Sequence, residues 1–595
     1  MPDRTRRGLL CSLGSAAAVA LAGCTSDDGA DRDRSEPEGS EVPDRSERWV
    51  TATRTSATTL IPHRAVDEAS ADRLELVMDG AYAITADREL FPLWLDVESI
   101  DASTYEATLR DGLRWSDPYG RMTADDWVYY IRRIHQGREN WAGSRLAAAW
   151  AGVEVERTGE LSFRITLPDP NAQFPYEPAL RESWCLPRGL LEPYARERDR
   201  EGLENDSDLT RLAYTGNLGP YTAERWDRGE RFVAARNDGY YMRNVADLSP
   251  VWSEAPYFET YEYHVLASEQ DRLQALRTAS VTTTAVPPAR IDQFRGNGSV
   301  SLYAVPQPTL TVLAYNQRAN GWEPFRRAEV RRACSMAIDK QGVVEDVYDG
   351  FAEPVHTFQP PWSVWDGADL TAFGRQAAEE GEDAPTLLAD ALGDGYGYDG
   401  GRLLDGEGEP VTWTVVYVGE PGRTTALASF VVRELERLGV AIEPERVGYE
   451  RLLTEYLATE WQGTDDPPWE AGEYNAGPRE RSPSATDWDL LCGVELNAYP
   501  LAPTSTDRFW LERGNMNFSG YVPDAELTAL YAEARAATNG PERNERLDAV
   551  FGALNEEQPA NFLVARRTPV GYRRGIVGPR ETSNHGWDRQ TWYAE

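Results

Sequence analysis

Residues 329–350 read EVRRACSMAIDKQGVVEDVYDG, and this stretch carries most of what the sequence says about the fold. Apolar residues recur in it at the three- and four-residue spacing of a single helix face. They are Val330, Ala333, Cys334, Ala337 and Ile338. Asp339 can cap a second helix that ends at Gly350, because aspartate accepts from free N–H groups and glycine ends helices. The pattern predicts two consecutive helices, with Cys334 as a buried structural thiol.

On both sides of this stretch, short β-rich runs alternate with amphipathic helices. The clearest runs are 49–53, 105–109, 161–167, 232–236, 309–315 and 411–418. Thr123 can cap a helix that extends to about His135, with Asp126 at the capping-box position. Such alternation is typical of α/β or α+β chains. Three acidic or Gly- and Pro-rich stretches are predicted to be surface loops: 366–381, 390–408 and 465–483.

The charge balance argues against a nucleic-acid partner and indicates a high-salt environment. The chain has 595 residues, with 61 Lys+Arg against 98 Asp+Glu and a formal net charge of −37. A nucleic-acid binder needs a basic footprint, which is missing here. Lys340 is the only lysine. Acid excess with almost no lysine indicates a protein adapted to molar salt, where the screening length falls to about 3 Å; the alternative is an acidic mesophile protein whose genome favours arginine.

The first 24 residues have the pattern of an export signal. Arg6 and Arg7 precede an apolar run from Gly8 to Gly23, which is shorter than the ~20 residues of a membrane-spanning helix. The arginine pair predicts twin-arginine export, and Leu-Ala-Gly-Cys resembles a lipobox with Cys24 as the lipidated residue. A plain membrane anchor is the alternative. Residues 25–48 are polar and acidic, and they are predicted to form a disordered tether.

Three further cysteines, Cys185, Cys334 and Cys492, permit at most one disulfide, and the sequence leaves any pairing open. The five histidines are not at metal-ligand spacing, and HExxH, GxSxG and GKS or GKT motifs are absent. The sequence therefore predicts no metal, no cofactor and no catalytic residues.

Three Asn-Xaa-Ser triplets begin at Asn205, Asn297 and Asn517. They match the acceptor pattern for N-glycosylation, a pattern that also arises by chance.

Five stretches, kept in one order along the chain, resemble a known family. They are 109–128, 219–241, 315–361, 435–442 and 517–527. The third is the most specific, with Tyr-Asn at 315–316, Pro-Phe at 324–325, Val-Arg-Arg-Ala at 330–333, Ala-Ile-Asp-Lys at 337–340 and Pro-Pro at 360–361. Together they resemble the extracytoplasmic solute-binding proteins, family 5, of peptide- and nickel-type ABC importers.

The resemblance implies an α/β, periplasmic-binding-protein-like clamshell with a mixed α+β accessory domain. Lobe I is expected at 49–78, 213–308 and 563–595, with the accessory domain at 79–212 and lobe II at 309–562. Asn316 is expected at the hinge or lobe crossing. A solute would be enclosed by hinge closure of the two lobes.

The family's pocket draws on the late part of lobe II, so the resemblance implies that site residues lie there. The candidates are Trp488, Asp489, Glu495, Tyr499, Asp507 and Trp461. Peptide-binding members often carry an aspartate here for the peptide's α-amino group. No aspartate of this chain aligns cleanly with it, and Glu495, Asp489 or Asp507 replaces it only in a shifted alignment.

By this resemblance the chain is a substrate-binding lipoprotein on the outer face of the cell membrane and not an enzyme. Its expected partners are a peptide or similar small organic solute, an ABC permease with its ATPase, and the membrane through the lipid; a monomer is expected. Two alternatives remain: a surface receptor or sensor on the same fold without transport, and a surface-anchored hydrolase.

Overall fold

The computed structural model describes residues 45–595 except 246–247, 364–369, 376–382, 420–421, 525 and 583. The predicted export signal, with Arg6, Arg7 and Cys24, lies outside the described residues. The described chain divides into two compact units. Unit 1 comprises 45–306 and 567–595, and unit 2 comprises 307–566.

Unit 1 contains most of the first half of the chain. Its strands are β1 (Ser46–Thr53), β2 (Tyr82–Ile84), β3 (Leu90–Pro92), β4 (Leu95–Asp101), β5 (Thr104–Leu109), β6 (Glu154–Arg157), β7 (Ser162–Thr166), β8 (Tyr221–Asp227), β9 (Arg231–Arg236), β10 (Phe258–Val265) and β11 (Thr283–Ala285). Its helices are α1 (Glu68–Val77), α2 (Ala124–Tyr130), α3 (Pro178–Arg181), α4 (Arg188–Glu197), α5 (Arg200–Glu204), α6 (Ser207–Thr210) and α7 (Glu269–Arg277).

Two sheets organise unit 1. The larger has the order β11-β1-β10-β9-β8, with β1 parallel to β10 and antiparallel pairing from β10 to β8. The smaller is wholly antiparallel, with the order β4-β5-β7-β6. The predicted capping box is confirmed, because the Asp126 carboxylate accepts from the Thr123 N–H at 2.8 Å. After α2 the helix continues through a π turn to His135, as the sequence predicts.

Strand β12 (Val300–Tyr315) carries the chain into unit 2, and β19 (Ala560–Arg573) carries it back. The strands between them are β13 (Ala352–Pro354), β14 (Gly397–Asp399), β15 (Arg402–Leu404), β16 (Thr412–Val418), β17 (Ala441–Val447) and β18 (Leu490–Asn497). The helices of unit 2 are α8 (Ala328–Ala337), α9 (Lys340–Gly342), α10 (Ala384–Leu392), α11 (Arg423–Glu436), α12 (Tyr449–Arg451), α13 (Asp507–Trp510), α14 (Leu527–Ala536) and α15 (Gly540–Glu557). In unit 1 the chain then ends with β20 (Ile576–Val577) and β21 (Tyr593–Ala594).

The sheet of unit 2 has the order β17-β16-β18-β12-β19, with β13 also paired to β19. β16 is parallel to β17 and β18, whereas β12 and β18 are antiparallel. Their ladder shifts register between Val312 and Leu313, opposite Gly493, whose φ of +77° is a conformation that glycine adopts without strain. This bulge lies in the middle of β18, between its first residue, Leu490, and its last, Asn497.

The stretch at 329–350 packs on this sheet as predicted. Its apolar stripe is buried in α8, and Cys334 is fully buried in the same core as Trp413 and Leu435. Asp339 caps the next helix, since its carboxylate accepts from the Gly342 N–H at 2.6 Å. That helix is only α9, and it continues as a π turn, Val343–Val347.

The predicted loop at 390–408 is wrong, because it holds the end of α10 and the β14–β15 hairpin. Gly400 and Gly401 turn the hairpin with φ of +56° and +81°, values that favour glycine. Two residues anchor this hairpin to the rest of unit 2. Leu403 is buried, and the Tyr398 hydroxyl donates to the Leu438 carbonyl at 2.7 Å. Most of 366–381 lies outside the described residues, and 465–483 contains neither helix nor strand.

The three cysteines are buried and free, Cys185 in unit 1 and Cys334 and Cys492 in unit 2. Burial raises the pKa of the Cys492 thiol to about 12, so it stays protonated at ordinary pH. Within the described part of the chain, no helix combines the length and the apolar character that crossing a bilayer requires.

Candidate functional site

Strand β18 is the axis of the predicted binding stretch. Trp488 and Asp489 precede its first residue, Glu495 lies near its end, and Tyr499 and Asp507 follow it. The two ends of the strand have different surroundings in unit 2.

At the start of β18 the predicted site residues hold the interior of unit 2 together. The Asp489 carboxylate accepts from the backbone N–H of Trp322 at 2.9 Å and of Thr414 at 2.8 Å. Desolvation raises the pKa of this carboxyl. Trp488 is 1% exposed, and its indole N–H donates to the Ser484 hydroxyl at 3.1 Å. Both side chains are engaged within the fold, so they are poorly placed to contact a solute.

Asn316 belongs to the same interior network. It lies inside unit 2, beyond the chain crossing at 306–307, and is fully buried. Its side-chain amide donates to the Trp488 carbonyl at 2.8 Å, and its carbonyl oxygen accepts from the Arg318 N–H at 3.0 Å. Asn316 therefore supports the start of β18 from within unit 2. Its role at the hinge or lobe crossing stays a prediction.

The end of β18 carries a group of charged and hydroxyl side chains, here called the strand-end cluster. Its members are Thr311, Tyr348, Arg423, Glu495 and Arg566. Glu495 is paired with Thr311 across the β12–β18 ladder, and its carboxylate accepts a hydrogen bond from the Arg566 guanidinium. Arg566 is the last residue of unit 2 before the chain returns to unit 1.

Tyr348 joins the two sides of the strand-end cluster. Its hydroxyl lies 3.2 Å from that of Thr311, and the Arg423 guanidinium lies 5.4 Å from its ring centroid. Burial, and after it the negative charge of Glu495, raises the pKa of Tyr348 to about 12. The phenol therefore stays neutral and can donate or accept one hydrogen bond.

Arg423 is the exposed member of the cluster. It is the first residue of α11, and desolvation followed by repulsion from Arg566 lowers the pKa of its guanidinium. Among the described residues it has no hydrogen-bonding or ion-pair partner, and the Arg566 Nε is also buried without one. Free guanidinium donors beside one carboxylate can bind a solute's carboxylate, and Glu495 can receive a solute's amine.

The remaining predicted residues are engaged elsewhere in unit 2. Asp507 pairs with Arg535 at 2.6 Å. The Tyr499 hydroxyl accepts from Arg508 at 3.2 Å, and the Arg508 guanidinium lies 5.0 Å from the Tyr499 ring centroid. The Trp461 indole N–H donates to the Asp465 carbonyl at 2.6 Å, within the long loop before β18.

Of the predicted residues, only Glu495 is in the strand-end cluster. Sequence reasoning missed its four partners, which come from β12, α11, β19 and the turn after the Val343–Val347 segment. One pattern pointed to Arg566: two adjacent arginines, 566 and 567, interrupt an otherwise apolar β-rich run. No pattern in the sequence relates that run to Arg423 or Tyr348.

The side chains of the described residues also bear on metal binding. No group of three or more His, Cys, Asp or Glu side chains among them could hold a metal ion. What the strand-end cluster can do is form hydrogen bonds and ion pairs with a polar, charged small molecule.

Residues 89–489, more than half of the chain, match the family described as "Bacterial extracellular solute-binding proteins, family 5 Middle". The chain belongs to this family, which confirms the predicted resemblance and the expectation of a binding protein in place of an enzyme.

Curated relatives agree with this assignment. The oligopeptide-binding protein AppA of Bacillus subtilis is 21% identical over 469 residues, which are 77% of this chain and 75% of AppA. The dipeptide-binding protein DppE of the same organism is 22% identical over 377 residues, 60% of this chain and 63% of DppE.

Solved structures share the fold. Bacillus subtilis AppA in complex with a nonapeptide matches with a TM-score of 0.65 at 17% identity, over 93% of this chain and 100% of that chain. This likeness confirms the predicted α/β, periplasmic-binding-protein-like fold and, at this identity, carries no information on the ligand.

Proposed function

We propose that this protein is the substrate-binding lipoprotein of an ABC importer, and that it captures a peptide or a similar small organic solute. The observation that carries the proposal is the family match over residues 89–489. In this proposal the protein works outside the cell membrane and delivers its solute to a membrane permease driven by an ATPase.

Within this proposal, unit 2 corresponds to lobe II and unit 1 to lobe I with its accessory domain at 79–212. The four-stranded sheet β4-β5-β7-β6 supports the accessory domain, since it is separate from the larger sheet of unit 1. The similar bounds of unit 2, 307–566, support the assignment of lobe II.

The strand-end cluster is the proposed contact for the charged groups of the solute. Arg423 is exposed and free to bind a carboxylate, while Glu495 shares its charge with Arg566 and can accept from an ammonium group. The strand-end cluster contains both guanidinium groups and a carboxylate, so it favours a zwitterionic or otherwise polar solute over an apolar one.

Anchoring is proposed through a lipid on Cys24, after export directed by Arg6 and Arg7. The acidic segment 25–45 would act as the tether between the lipid and the folded body. The predicted end of the tether at residue 48 is wrong, because β1 begins at Ser46 and pairs with β10 from that residue on. A Cys24→Ser variant, expressed in the native host, should be released into the medium while the natural protein stays with the membrane. A variant that is still retained would contradict lipid anchoring.

The solute is identified with protein purified from its own host in molar salt. Denaturation should release a stoichiometric small molecule that mass spectrometry identifies. If none is released, a thermal-shift screen of di- to nonapeptides and other polar solutes is made in the same salt. Absence of both a released and a stabilising solute would overturn the proposal.

Matched variants test the strand-end cluster with the identified solute. Arg423→Gln and Glu495→Gln should each weaken binding tenfold or more in calorimetric titration, because each removes one charged partner. Asp507→Asn is the control, since this carboxylate pairs with Arg535. Equal affinities for all three variants and the natural protein would show that the solute binds elsewhere.

Transport distinguishes an importer subunit from a receptor on the same fold. Deletion of the gene should abolish uptake of the labelled solute, whereas normal uptake would favour a sensor or receptor.

A further inference from the structure

The three Asn-Xaa-Ser sequons have the same acceptor chemistry, but the fold gives them different surroundings. Modification of such a site joins a bulky saccharide to the asparagine Nδ2, so that atom must be free and reachable. The structure therefore ranks Asn205, Asn297 and Asn517 by what each side-chain amide is already doing.

Asn517 is closed to modification in the folded protein. Its side chain is 1% exposed. Both hydrogens of its amide are used, because Nδ2 donates to the Leu511 carbonyl at 3.0 Å and to the Tyr521 carbonyl at 2.7 Å. Its Oδ1 accepts from the Tyr521 N–H at 3.0 Å. A saccharide on this nitrogen would break the turn at 511–521.

Asn205 is exposed, but its amide is partly engaged. It follows the last residue of α5, and its Nδ2 donates to the Glu201 carbonyl at 2.8 Å, which satisfies a carbonyl of the last helical turn. Ser207, the sequon serine, is the first residue of α6. Asn205 therefore caps one helix, and Ser207 begins the next.

Asn297 is half-buried, and its side-chain amide nitrogen is uncommitted within the described part of the chain. It lies in the turn between residues 294 and 300, where its Oδ1 accepts from the Ser299 N–H at 3.0 Å and so bends the triplet into an Asx turn. Among the described residues its Nδ2 has no partner. Gly298 and Ser299 are exposed, and a Cβ added at Gly296 or Gly298 would meet no atom within 4 Å.

We propose that Asn297 is a glycosylation site of this protein, and that Asn517 is not, because the chain is already folded when it meets the transferase. The inference rests on the outer-face location in the proposed function. The donor is a saccharide linked through phosphate to a membrane lipid. The Asn297 nitrogen forms a bond to the sugar's anomeric carbon, the carbon–oxygen bond to the phosphate breaks, the lipid phosphate leaves with the electron pair, and the amide gives up one proton.

The sequon pair Asn297 and Asn517 thereby reports the state of the chain at the time of modification. A chain modified while unfolded would present both asparagines alike, since their triplets differ only in the middle residue. A folded chain presents Asn297 alone. Selective modification at Asn297 is also what twin-arginine export, which carries folded proteins, would produce.

Trypsin separates the three sites, because arginines place them in the peptides 201–211, 296–318 and 514–535. Mass spectrometry of protein from the native host should find a saccharide on 296–318, an unmodified 514–535 peptide, and lower occupancy on 201–211 than on 296–318. An unmodified 296–318 peptide would overturn the proposal. Saccharide on 514–535 would overturn selection by the fold, and so would equal or higher occupancy on 201–211.

Two variants separate modification from any effect on folding. Ser299→Ala should abolish the saccharide on 296–318, and Ser299→Thr should keep it, because threonine completes the same acceptor triplet. Both variants should bind the solute as the natural protein does. Absence of any bound solute from natural protein that carries the saccharide would count against the proposed function alone, and loss of the saccharide in Ser299→Thr would count against this site.

Discussion

The two ends of β18 each present a carboxylate from the same predicted binding stretch, and unit 2 uses them in different ways. At the start, Asp489 is bonded to two backbone N–H groups, those of Trp322 and Thr414. Near the end, Glu495 is bonded to a side chain, the Arg566 guanidinium. A carboxylate held by backbone has its place fixed by the fold, whereas one held by a side chain can exchange that partner for a solute.

Cations in unit 2 divide in the same way. Arg318, which is 1% exposed, donates to the carbonyls of Asn517 at 2.7 Å and Phe518 at 2.8 Å. Lys340 is 2% exposed and donates to the Val355 carbonyl at 2.9 Å. Arg566 instead donates to the Glu495 carboxylate, and Arg423 is exposed to solvent. Backbone carbonyls therefore hold the two buried scaffold cations, whereas the two cations of the strand-end cluster lie beside the Glu495 carboxylate.

The largest expected effect is at Arg318. Arg318→Ala leaves several buried carbonyls without a donor and should lower the free energy of unfolding by about 3–5 kcal/mol. Arg332→Ala is the control, since its side chain is 38% exposed and its partner among the described residues is Glu329, a contact worth about 0.5 kcal/mol or less. Denaturant unfolding in molar salt measures both variants. A cost near that of the control would break the distinction between scaffold and site charges.

Asp489 should come next. Asp489→Ala removes the acceptor of two backbone N–H groups, and we expect a loss of about 2–4 kcal/mol in the free energy of unfolding. The neighbouring Asp487 is exposed, so Asp487→Ala should change it by about 0.5 kcal/mol or less. If Asp489→Ala left stability unchanged but abolished solute binding, Asp489 would move from the scaffold to the site.

At Lys340 the comparison is tested by the pH dependence of the free energy of unfolding. Burial lowers the pKa of its ammonium group from 10.5 to about 7. Because the folded-state pKa is the lower one, the unfolded chain binds a proton at Lys340 between pH 7 and 10.5 that the folded protein does not bind. The contribution of Lys340 to the free energy of unfolding is therefore greatest above pH 10.5, falls as the pH falls toward 7, and changes no further below 7. The slope is at most about 1.4 kcal/mol per pH unit.

Lys340→Met removes this group, so the difference in unfolding free energy between variant and natural protein should change between pH 7 and 10. Taking the difference cancels the groups of unit 1 that titrate in the same range, such as Glu68, whose pKa desolvation raises to about 8. A difference that is constant with pH would show that Lys340 is not desolvated.

The smallest effect on stability is expected at the strand-end cluster. Glu495→Gln keeps an acceptor for Arg566, and the Glu495 side chain is 25% exposed, so the cost should be about 1 kcal/mol or less. The same variant should weaken solute binding tenfold or more. A stability cost as large as that of Asp489→Ala would place Glu495 in the scaffold too.

Much of the fold could be predicted because its signals are local. The stripe at 330–338, the caps at Thr123 and Asp339 and the six β-rich runs each depend on residues within a few positions of one another. The hairpin at 397–404 escaped prediction because its anchor is distant: Tyr398 bonds to the Leu438 carbonyl, forty residues away.

The candidate site could be predicted only in part. The sequence predicts Glu495 because it lies in the segment that the family resemblance points to. Asp489 and Trp488 were assigned to the site for the same reason, but the fold turns them inward. Arg566, Arg423 and Tyr348 were missed, since no short-range pattern relates them to Glu495.

The sequence by itself determined the family, the class of fold, the buried thiol of Cys334 and the location of the helix caps. Periodicity and capping depend on residues close together in the chain, so they can be recognised in the amino-acid sequence alone. Only the tertiary structure decided which carboxylate is held by backbone N–H groups and which by a side chain. That choice depends on partners 71 to 167 positions away, Arg566 for Glu495 and Trp322 for Asp489, and they meet only when the sheet of unit 2 forms.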